Sequence, residues 1–508
     1  ALIGGLCLVW PLVSGWFECS QKKERDTEKS GAPEGKACAA ENVVVVVESK
    51  PKQADEVKIS IDQDDAKAAL KDLEKKESLK FVEIPMVQDK ASEQISSAAA
   101  DHGKPSNAPA KKRQLVYLTN MKTFLTFFVV THHTFCVFEN ANGVGMGMDA
   151  GTVGSFPMIM NWYTTMDQNY FMAAFFLISA LFCPKSLDRK GFRAFVIDKI
   201  VRLGGPFILW SMLLGPVLSL WQYAYAGFGV HYIYTEGPPW FILWLLNFSI
   251  IYAVVAQVLP SLHFKMPHPL LLLVLGLGLG GAFYGLGGND ADTLNMGAWN
   301  YFGGMVMWTY GIALYIPFFI AGIAGGRNDW LRDVENMATW VVWCLRTTCV
   351  GFWVLYFFAQ AQWSIPDGLL SSVHINQSLE QISTPVYAIA MTLAEMQLFY
   401  QYFNSSPQSK FMKNAGLAAY TVYVIHPWVL DSFVLALIEI FKAANLQVAF
   451  DQITGTGNAE FSVVGANGEH PNKNLLWPSW LFVFVLTQLV VWPLAHYFRK
   501  LPVMNKML

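Results

Sequence analysis

The stretch LVYLTNMKTFLTFFVVTHHTFCVF, residues 115–138, decides the fold class of this chain. A helix needs roughly 20 residues to cross the hydrocarbon layer of a bilayer, and this stretch is long enough. Apolar and aromatic side chains fill it, and its basic side chains are Lys122, His132 and His133. We therefore predict a transmembrane helix that carries three basic groups in an apolar setting.

The rest of the chain supports a membrane protein with many spans. Of its 508 residues, 53% are hydrophobic and 15% are charged, whereas soluble proteins usually carry about 25% charged residues. We predict an all-α, polytopic transmembrane helical bundle. Its ten core spans are predicted at residues 115–138, 168–183, 203–223, 240–260, 269–287, 303–324, 337–359, 381–403, 416–440 and 476–498.

The chain before the core differs in composition from the core. Residues 1–19 are mostly apolar and are interpreted either as an extra N-terminal span or as a signal segment. Residues 20–113 are rich in Lys, Glu, Asp, Ala and Ser and poor in aromatic residues, which predicts a mostly disordered tail. Residues 114–508 then form the membrane domain. The net charge of −2 gives no basic field for nucleic acid, so no nucleic-acid partner is expected.

The distribution of Lys and Arg predicts the orientation of the core, because these residues concentrate in cytoplasmic loops. The segment 184–202 holds six of them, whereas 139–167 and 224–239 hold none. This alternation continues along the chain almost without exception. We predict that both termini of the core, and the tail with them, are cytoplasmic.

The two adjacent histidines of the first span are the first candidates for a functional site. Neighbouring residues on a helix point about 100° apart, so His132 and His133 should face different partners. Lys122 precedes His133 by eleven residues, about three turns, and so shares its face about 16 Å away. A buried ionisable group in a span indicates either function or a packing hydrogen bond to another helix. The matched Lys122 favours function. The adjacent spacing of the two histidines argues against a metal site.

Three further features stand out in the later spans. Lys199 and Arg202, three residues apart at a predicted cytoplasmic boundary, either contact lipid headgroups or bind phosphates. His426, followed by Pro427, is either a second site residue or a packed polar group. Glu395 lies within a predicted span, where it would pair with a histidine or line a pore.

A glycine-rich stretch, LGLGLGGAFYGLGG at 275–288, resembles a nucleotide-binding loop only superficially. It follows no predicted strand and has no basic partner. Close packing between helices is the better interpretation, because small residues let transmembrane backbones approach each other.

Five motifs follow one another along the chain, and together they resemble the acyltransferase 3 family of integral membrane acyltransferases. The resemblance covers about residues 114–500. The motifs are KTFLTFFVVTHH (122–133), FFLISA (175–180) with KIVRLGGP (199–206), the set Gly237, Pro239, Trp240, Phe241, Leu245, Phe248 and Tyr252, FFIAGIAGGR (318–327), and the set Tyr420, Tyr423, His426 and Pro427. Three positions depart from the family pattern: Lys122 and Lys199 stand where arginine is usual, and Ala180 where glycine is usual.

The resemblance implies acyl transfer from acyl-CoA, with acetyl-CoA as the expected donor, to a hydroxyl of a carbohydrate or lipid-linked acceptor. Lys122, Lys199 and Arg202 would hold the phosphates of CoA near the cytoplasmic face. His133 would act as general base or carry the acyl group, and His132 and His426 would complete the catalytic set. No metal is expected to take part.

Two other classes of function remain open from the sequence. A proton-coupled, multi-pass transporter would also use intramembrane histidines and Glu395, although the chain shows no convincing internal repeat. A non-catalytic membrane partner would instead bind something through its tail, residues 20–110.

Overall fold

The computed structural model describes residues 115–138, 146–151, 154–229, 237–260, 263–285, 309–364, 377–404, 408–452, 459–464, 473–501 and 504. The chain divides into two units, Ala1–Pro109 and Ala110–Leu508, and all of these residues lie in the second. The predictions for residues 1–19 and 20–113 concern parts of the chain outside the described residues.

The described part is predominantly helical, which confirms the all-α fold class. Its helices are α1 (Val116–Cys136), α2 (Ser155–Gln168), α3 (Phe171–Leu181), α4 (Cys183–Lys190), α5 (Phe192–Lys199), α6 (Gly205–Leu209), α7 (Gly215–Ala226), α8 (Trp240–Val258), α9 (Pro269–Gly285), α10 (Thr309–Asn328), α11 (Trp330–Glu335), α12 (Thr339–Ser364), α13 (Gln377–Tyr402), α14 (Lys410–Ala443) and α15 (Leu476–Phe498). A 3-10 turn, Lys473–Leu475, precedes α15.

Within the described residues, each of the ten predicted spans overlaps helical structure. Among the described residues, six helical stretches are long and apolar enough to cross a membrane. They are Ser155–Lys190, Phe192–Ala226, Trp240–Val258, Thr339–Ala361, Lys410–Ala443 and Lys473–Phe498. The chain is therefore an integral, multi-pass membrane protein.

The predicted bounds of the second span, 168–183, were wrong. Helical structure begins at Ser155 and continues with short breaks to Lys190. The helical structure continues past Pro184, because this proline lies in the first turn of α4, where its missing N–H breaks no hydrogen bond within the helix.

The helical stretch Phe192–Ala226, which includes the third span, contains two π-helical turns that were not predicted, Ile200–Gly204 and Trp210–Leu214. Each ends directly before a Gly-Pro pair, Gly205-Pro206 or Gly215-Pro216. A proline cannot donate to the carbonyl four residues before it, so the regular α-helical hydrogen bonding is interrupted there.

A small sheet joins two segments that were predicted only as loops. Its strands are β1 (Gly147–Met148), β2 (Val448–Gln452) and β3 (Ala459–Val463), in the order β1-β3-β2. β1 pairs with β3 in parallel and β2 pairs with β3 antiparallel. The predicted topology put both segments on the same side of the membrane. Pairing of β1 with β3 also requires the two segments to lie on one side.

Glycines allow α10 to pack tightly on α3. A Cβ at Gly322 would lie 2.4 Å from the carbonyl oxygen of Leu177 and 2.6 Å from the Cβ of Ala180. A Cβ at Gly326 would lie 2.3 Å from the carbonyl oxygen of Leu181. Ala180 stands where the resembling family has glycine, and the missing side chain at Gly322 gives it room.

The stretch 275–288 packs as the sequence analysis interpreted it, as far as its described residues extend. A Cβ at Gly280 would lie 1.9 Å from the carbonyl oxygen of Ile382 on α13, and one at Gly276 would lie 3.2 Å from the backbone of Val386. These glycines bring the backbones of α9 and α13 together, which confirms close helix packing.

Candidate functional site

His133 and His426 are in direct contact, although they lie on α1 and α14. Nδ1 of His133 is 2.6 Å from Nε2 of His426, and the two ring planes are nearly parallel, with centroids 4.7 Å apart. His426 is buried, whereas His133 is partly exposed. The structure therefore brings together two of the three histidines that the sequence analysis singled out.

The hydrogen bonds around His426 fix the protonation pattern of both rings. Nδ1 of His426 lies 2.7 Å from the backbone carbonyl oxygen of Tyr423, and a carbonyl only accepts, so this Nδ1 carries a proton. Nε2 of His426 is then the acceptor for the Nδ1 proton of His133. As a result, the lone pair of neutral His133 is at Nε2.

Pro427 explains why the carbonyl of Tyr423 is open to His426. In a regular helix the N–H of residue 427 would donate to this carbonyl, but proline has no N–H. The carbonyl is left for the side chain of His426. The His-Pro pair in the sequence thus sets the orientation of the imidazole.

His132 turns to a different partner, as the helical spacing predicted. Its Nδ1 lies 2.7 Å from Oδ1 of Asp167, near the end of α2, and both side chains are buried. The carboxylate accepts, so Nδ1 of His132 donates. The His132 and His133 rings lie side by side, with centroids 5.4 Å apart and planes at 76°.

Asp167 is the site residue that sequence reasoning missed. The predicted second span began at residue 168, which left Asp167 in a loop without any assigned role. The available signal was indirect: a histidine buried in a span needs a polar partner, and an acid flanking the next span was a candidate.

The three candidate phosphate-binding cations lie on separate elements. Nζ of Lys122 on α1 lies 5.5 Å from the centroid of the Phe182 ring. Nζ of Lys199, at the end of α5, lies 5.4 Å from that of Phe195. Arg202, in the first π-helical turn, has an exposed side chain whose Nε lies 3.3 Å from Oδ1 of Asp198.

The helix that carries His426 also contacts the turn that carries Arg202. The hydroxyl of Tyr420 on α14 donates to the carbonyl oxygen of Arg202 at 2.8 Å. Pro206 cannot donate to that carbonyl, so it is open to a side chain. Tyr423, one turn closer to His426, donates to the carbonyl oxygen of Pro238. α14 thus links the histidine pair to two of the other motifs.

A third link joins two further motifs. Nη2 of Arg327 on α10 donates to the hydroxyl of Tyr252 on α8 at 3.0 Å, and Nη1 pairs with Asp188 at 2.5 Å. This arginine links α4, α8 and α10 through its side-chain hydrogen bonds. These contacts indicate a structural role.

Glu395 is buried on α13 and does not bond to either histidine of α1. Among the described residues, neither of its carboxylate oxygens has a hydrogen-bond partner. The described part of the chain also contains no group of three or more His, Cys, Asp or Glu residues that could hold a metal ion.

Comparison with known families gives one match. The family model of the acyltransferase 3 group, described as "Acyltransferase domain", matches residues 115–496, which is well over half of the chain. No curated protein and no solved structure matches the chain.

Proposed function

The chain belongs to the acyltransferase 3 family, and we propose that this membrane acyltransferase moves an acetyl group from acetyl-CoA to a hydroxyl of a carbohydrate or lipid-linked acceptor. The observation that supports this chemistry best is the hydrogen-bond chain from the Tyr423 carbonyl through His426 to His133. It leaves one imidazole nitrogen, Nε2 of His133, as a proton acceptor on the partly exposed residue of the pair.

In the proposed reaction, the acceptor hydroxyl loses its proton to Nε2 of His133 while its oxygen attacks the thioester carbonyl. The new C–O bond forms, the C–S bond breaks, and the CoA sulfur leaves and takes up a proton. A general base of this kind contributes about 10²–10⁴-fold to a rate. His426 does not contact the substrate in this scheme and is a positioning residue.

A second route uses the same nitrogen as nucleophile. Nε2 of His133 would attack the thioester carbon, carry the acyl group as an acyl-imidazole, and pass it to the hydroxyl in a second step. Rapid quenching with labelled acetyl-CoA distinguishes the routes, because only the second leaves label on the protein before acceptor is added.

The CoA phosphates are proposed to bind Lys122, Lys199 and Arg202. Lys122 lies eleven residues before His133 on α1, about 16 Å along the helix axis. An extended pantetheine arm is long enough to cover that span, so the phosphates and the thioester would occupy opposite ends of one face. Lysine holds phosphate as a point charge rather than through the paired hydrogen bonds of arginine.

This arrangement fits the proposed orientation of the core. Both core termini would be cytoplasmic, so the cations would lie on the side where acyl-CoA is made. His133 would then lie deeper, towards the side on which the sheet of β1, β2 and β3 is found. Acceptors beyond the membrane would reach it from there.

The test uses membranes that contain the full chain and acetyl-CoA labelled in the acetyl group. We expect label to pass into products other than free acetate, and His133→Ala to reduce this transfer at least 100-fold. His263→Ala is the matched control, because His263 is exposed in the segment before α9. Equal transfer by His133→Ala and wild type would overturn the site.

A proton-coupled transporter is the second candidate, and the observation that favours it is the buried carboxylate of Glu395, which has no hydrogen-bond partner in the described part of the chain. Uptake driven by a pH gradient in vesicles without CoA would support this function. Absence of such uptake, together with acetyl transfer, would exclude it.

A further inference from the structure

The His132–Asp167 contact is a second imidazole pair beside His133 and His426. We propose that Asp167 is a positioning residue that holds His132 in its protonated form, and that His132 is the general acid for the departing CoA thiolate. This inference rests on the proposed acetyl transfer. It assigns to the two adjacent histidines opposite roles in one reaction.

The two pairs differ in the charge that faces each ring. His132 donates from Nδ1 to a carboxylate 2.7 Å away, and a carboxylate stabilises an imidazolium by direct charge interaction. His133 donates from Nδ1 to another imidazole, which offers no negative charge. The first pair therefore suits a proton donor and the second a proton acceptor, and such contrasting surroundings separate acid from base in active sites.

Burial strengthens this contrast. Asp167 and His132 are among the buried polar residues of the bundle, and a lone buried charge is costly unless an opposite charge pairs with it. An aspartate and an imidazolium satisfy each other in this way. A neutral His132 would leave the buried carboxylate of Asp167 without a counter-charge.

Comparison with another buried aspartate shows that Asp167 is not simply a packing group. Asp431 uses both oxygens: Oδ1 accepts from the backbone N–H of Met146 at 2.9 Å, and Oδ2 accepts from Gln222 at 3.1 Å. Oδ2 of Asp167, in contrast, has no hydrogen-bond partner among the described residues. Asp431 accepts hydrogen bonds on both oxygens, as a structural residue does, whereas His132 is the side chain that bonds to Asp167 among the described residues.

The proton transfers balance over one turnover. His133 takes the proton of the acceptor hydroxyl, and the imidazolium of His132 gives its Nε2 proton to the CoA sulfur as the C–S bond breaks. The site then holds a protonated His133 and a neutral His132, whose rings are 5.4 Å apart. Transfer of one proton between these rings restores the starting state, and free CoA thiol and acetylated acceptor are the products.

A general acid can be recognised by its dependence on the leaving group. We compare kcat/KM for acetyl-CoA with that for S-phenyl thioacetate, whose thiol is more acidic and needs less help from an acid. Purified full-length protein in lipid nanodiscs is used, with methyl α-D-glucopyranoside as the hydroxyl acceptor. Release of thiol is measured for wild type, Asp167→Asn, Asp167→Glu and His133→Ala.

We expect Asp167→Asn to lower kcat/KM about 100-fold or more with acetyl-CoA, and less than tenfold with S-phenyl thioacetate. KM for acetyl-CoA should stay within twofold, and Asp167→Glu should recover part of kcat because it restores the carboxylate. His133→Ala should lower kcat/KM by the same factor for both donors. Asp431→Asn, a buried aspartate outside the site, should leave kcat unchanged in the protein that folds.

Each other outcome counts against the inference. An equal loss of kcat/KM with both donors in Asp167→Asn would show that Asp167 has a structural role. No loss with either donor would show that Asp167 is not part of the site. If wild type turns over acetyl-CoA in either case, the proposed function stands, and only the role of His132 as general acid is rejected. If wild-type protein transfers no acetyl group here or in membranes, the proposed function fails and the inference fails with it.

Discussion

Nδ1 of His133 lies 2.6 Å from Nε2 of His426, although the two residues are 293 positions apart in the chain. The contact joins α1 to α14, the first and ninth of the predicted spans. It also makes the neutral ring of His133 a proton acceptor at Nε2, because His426 is itself bonded to the carbonyl of Tyr423. The consequences of this chain can be tested one residue at a time.

The first prediction concerns the acceptor atom of His426. In His426→Gln, the amide oxygen can still accept from Nδ1 of His133, whereas in His426→Leu no acceptor remains. We expect kcat to fall about tenfold in the first variant and about 100-fold in the second, with KM for acetyl-CoA unchanged. Steady-state release of CoA measures both constants. Equal losses in the two variants would contradict the positioning role.

The second prediction concerns Pro427. Pro427→Ala returns an N–H that competes with His426 for the carbonyl of Tyr423, and it also makes α14 more regular. We expect higher thermal stability together with a lower kcat. Pro493→Ala is the matched control, since Pro493 also lies inside a helix, α15. That variant should gain stability without losing activity, and a loss of activity in both would point to a general effect of helix straightening.

The sequence predicted the spans well and their contacts poorly. Apolar length is a local property, so each of the ten segments could be found without any partner. The contact between His133 and His426 depends on how α1 and α14 pack, which no local pattern encodes. Each histidine was a candidate by itself, because burial of an ionisable group is costly wherever it occurs.

The misses have the same physical origin. Asp167 was assigned to a loop because the apolar window that marked the next span began after it. The strands β2 and β3 are five residues each and pair with each other, and β3 also pairs with β1, which is distant in the chain. The π-helical turns before Pro206 and Pro216 result from single missing N–H groups, which do not change the apolar pattern.

The third prediction concerns Lys122 and the CoA phosphates. Lys122→Gln removes a charged contact, so we expect KM for acetyl-CoA to rise roughly tenfold with little change in kcat. Lys122→Arg keeps the charge and should stay within threefold of wild type. Lys413→Gln is the control, because Lys413 is an exposed lysine on α14. If Lys122→Gln lowers kcat and leaves KM unchanged, the phosphates bind elsewhere.

The last prediction concerns pH and the small sheet outside the spans. Glu460 in β3 is paired with Asp451 across the antiparallel ladder. The pKa of its carboxyl is raised from the usual 4.5 to about 7, first by partial burial and then by repulsion from Asp149 and Asp451. Below pH 4.5 the carboxyl is protonated in the folded and the unfolded sheet, so it does not affect stability. As the pH rises from 4.5 to about 7, only the unfolded form loses its proton, and the folded sheet becomes less stable.

Glu460→Gln removes this titration without changing the shape of the side chain much. We expect the backbone amides of β2 and β3 to be better protected from hydrogen exchange in the variant than in wild type at pH 8, and equally protected at pH 4. Exchange measured by mass spectrometry at both pH values tests this, with Asp329→Asn, a partly exposed acid between α10 and α11, as control. A variant that gains the same protection at pH 4 and pH 8 would show that the carboxylate charge is not what weakens the sheet, because a charge effect must disappear once both forms are protonated.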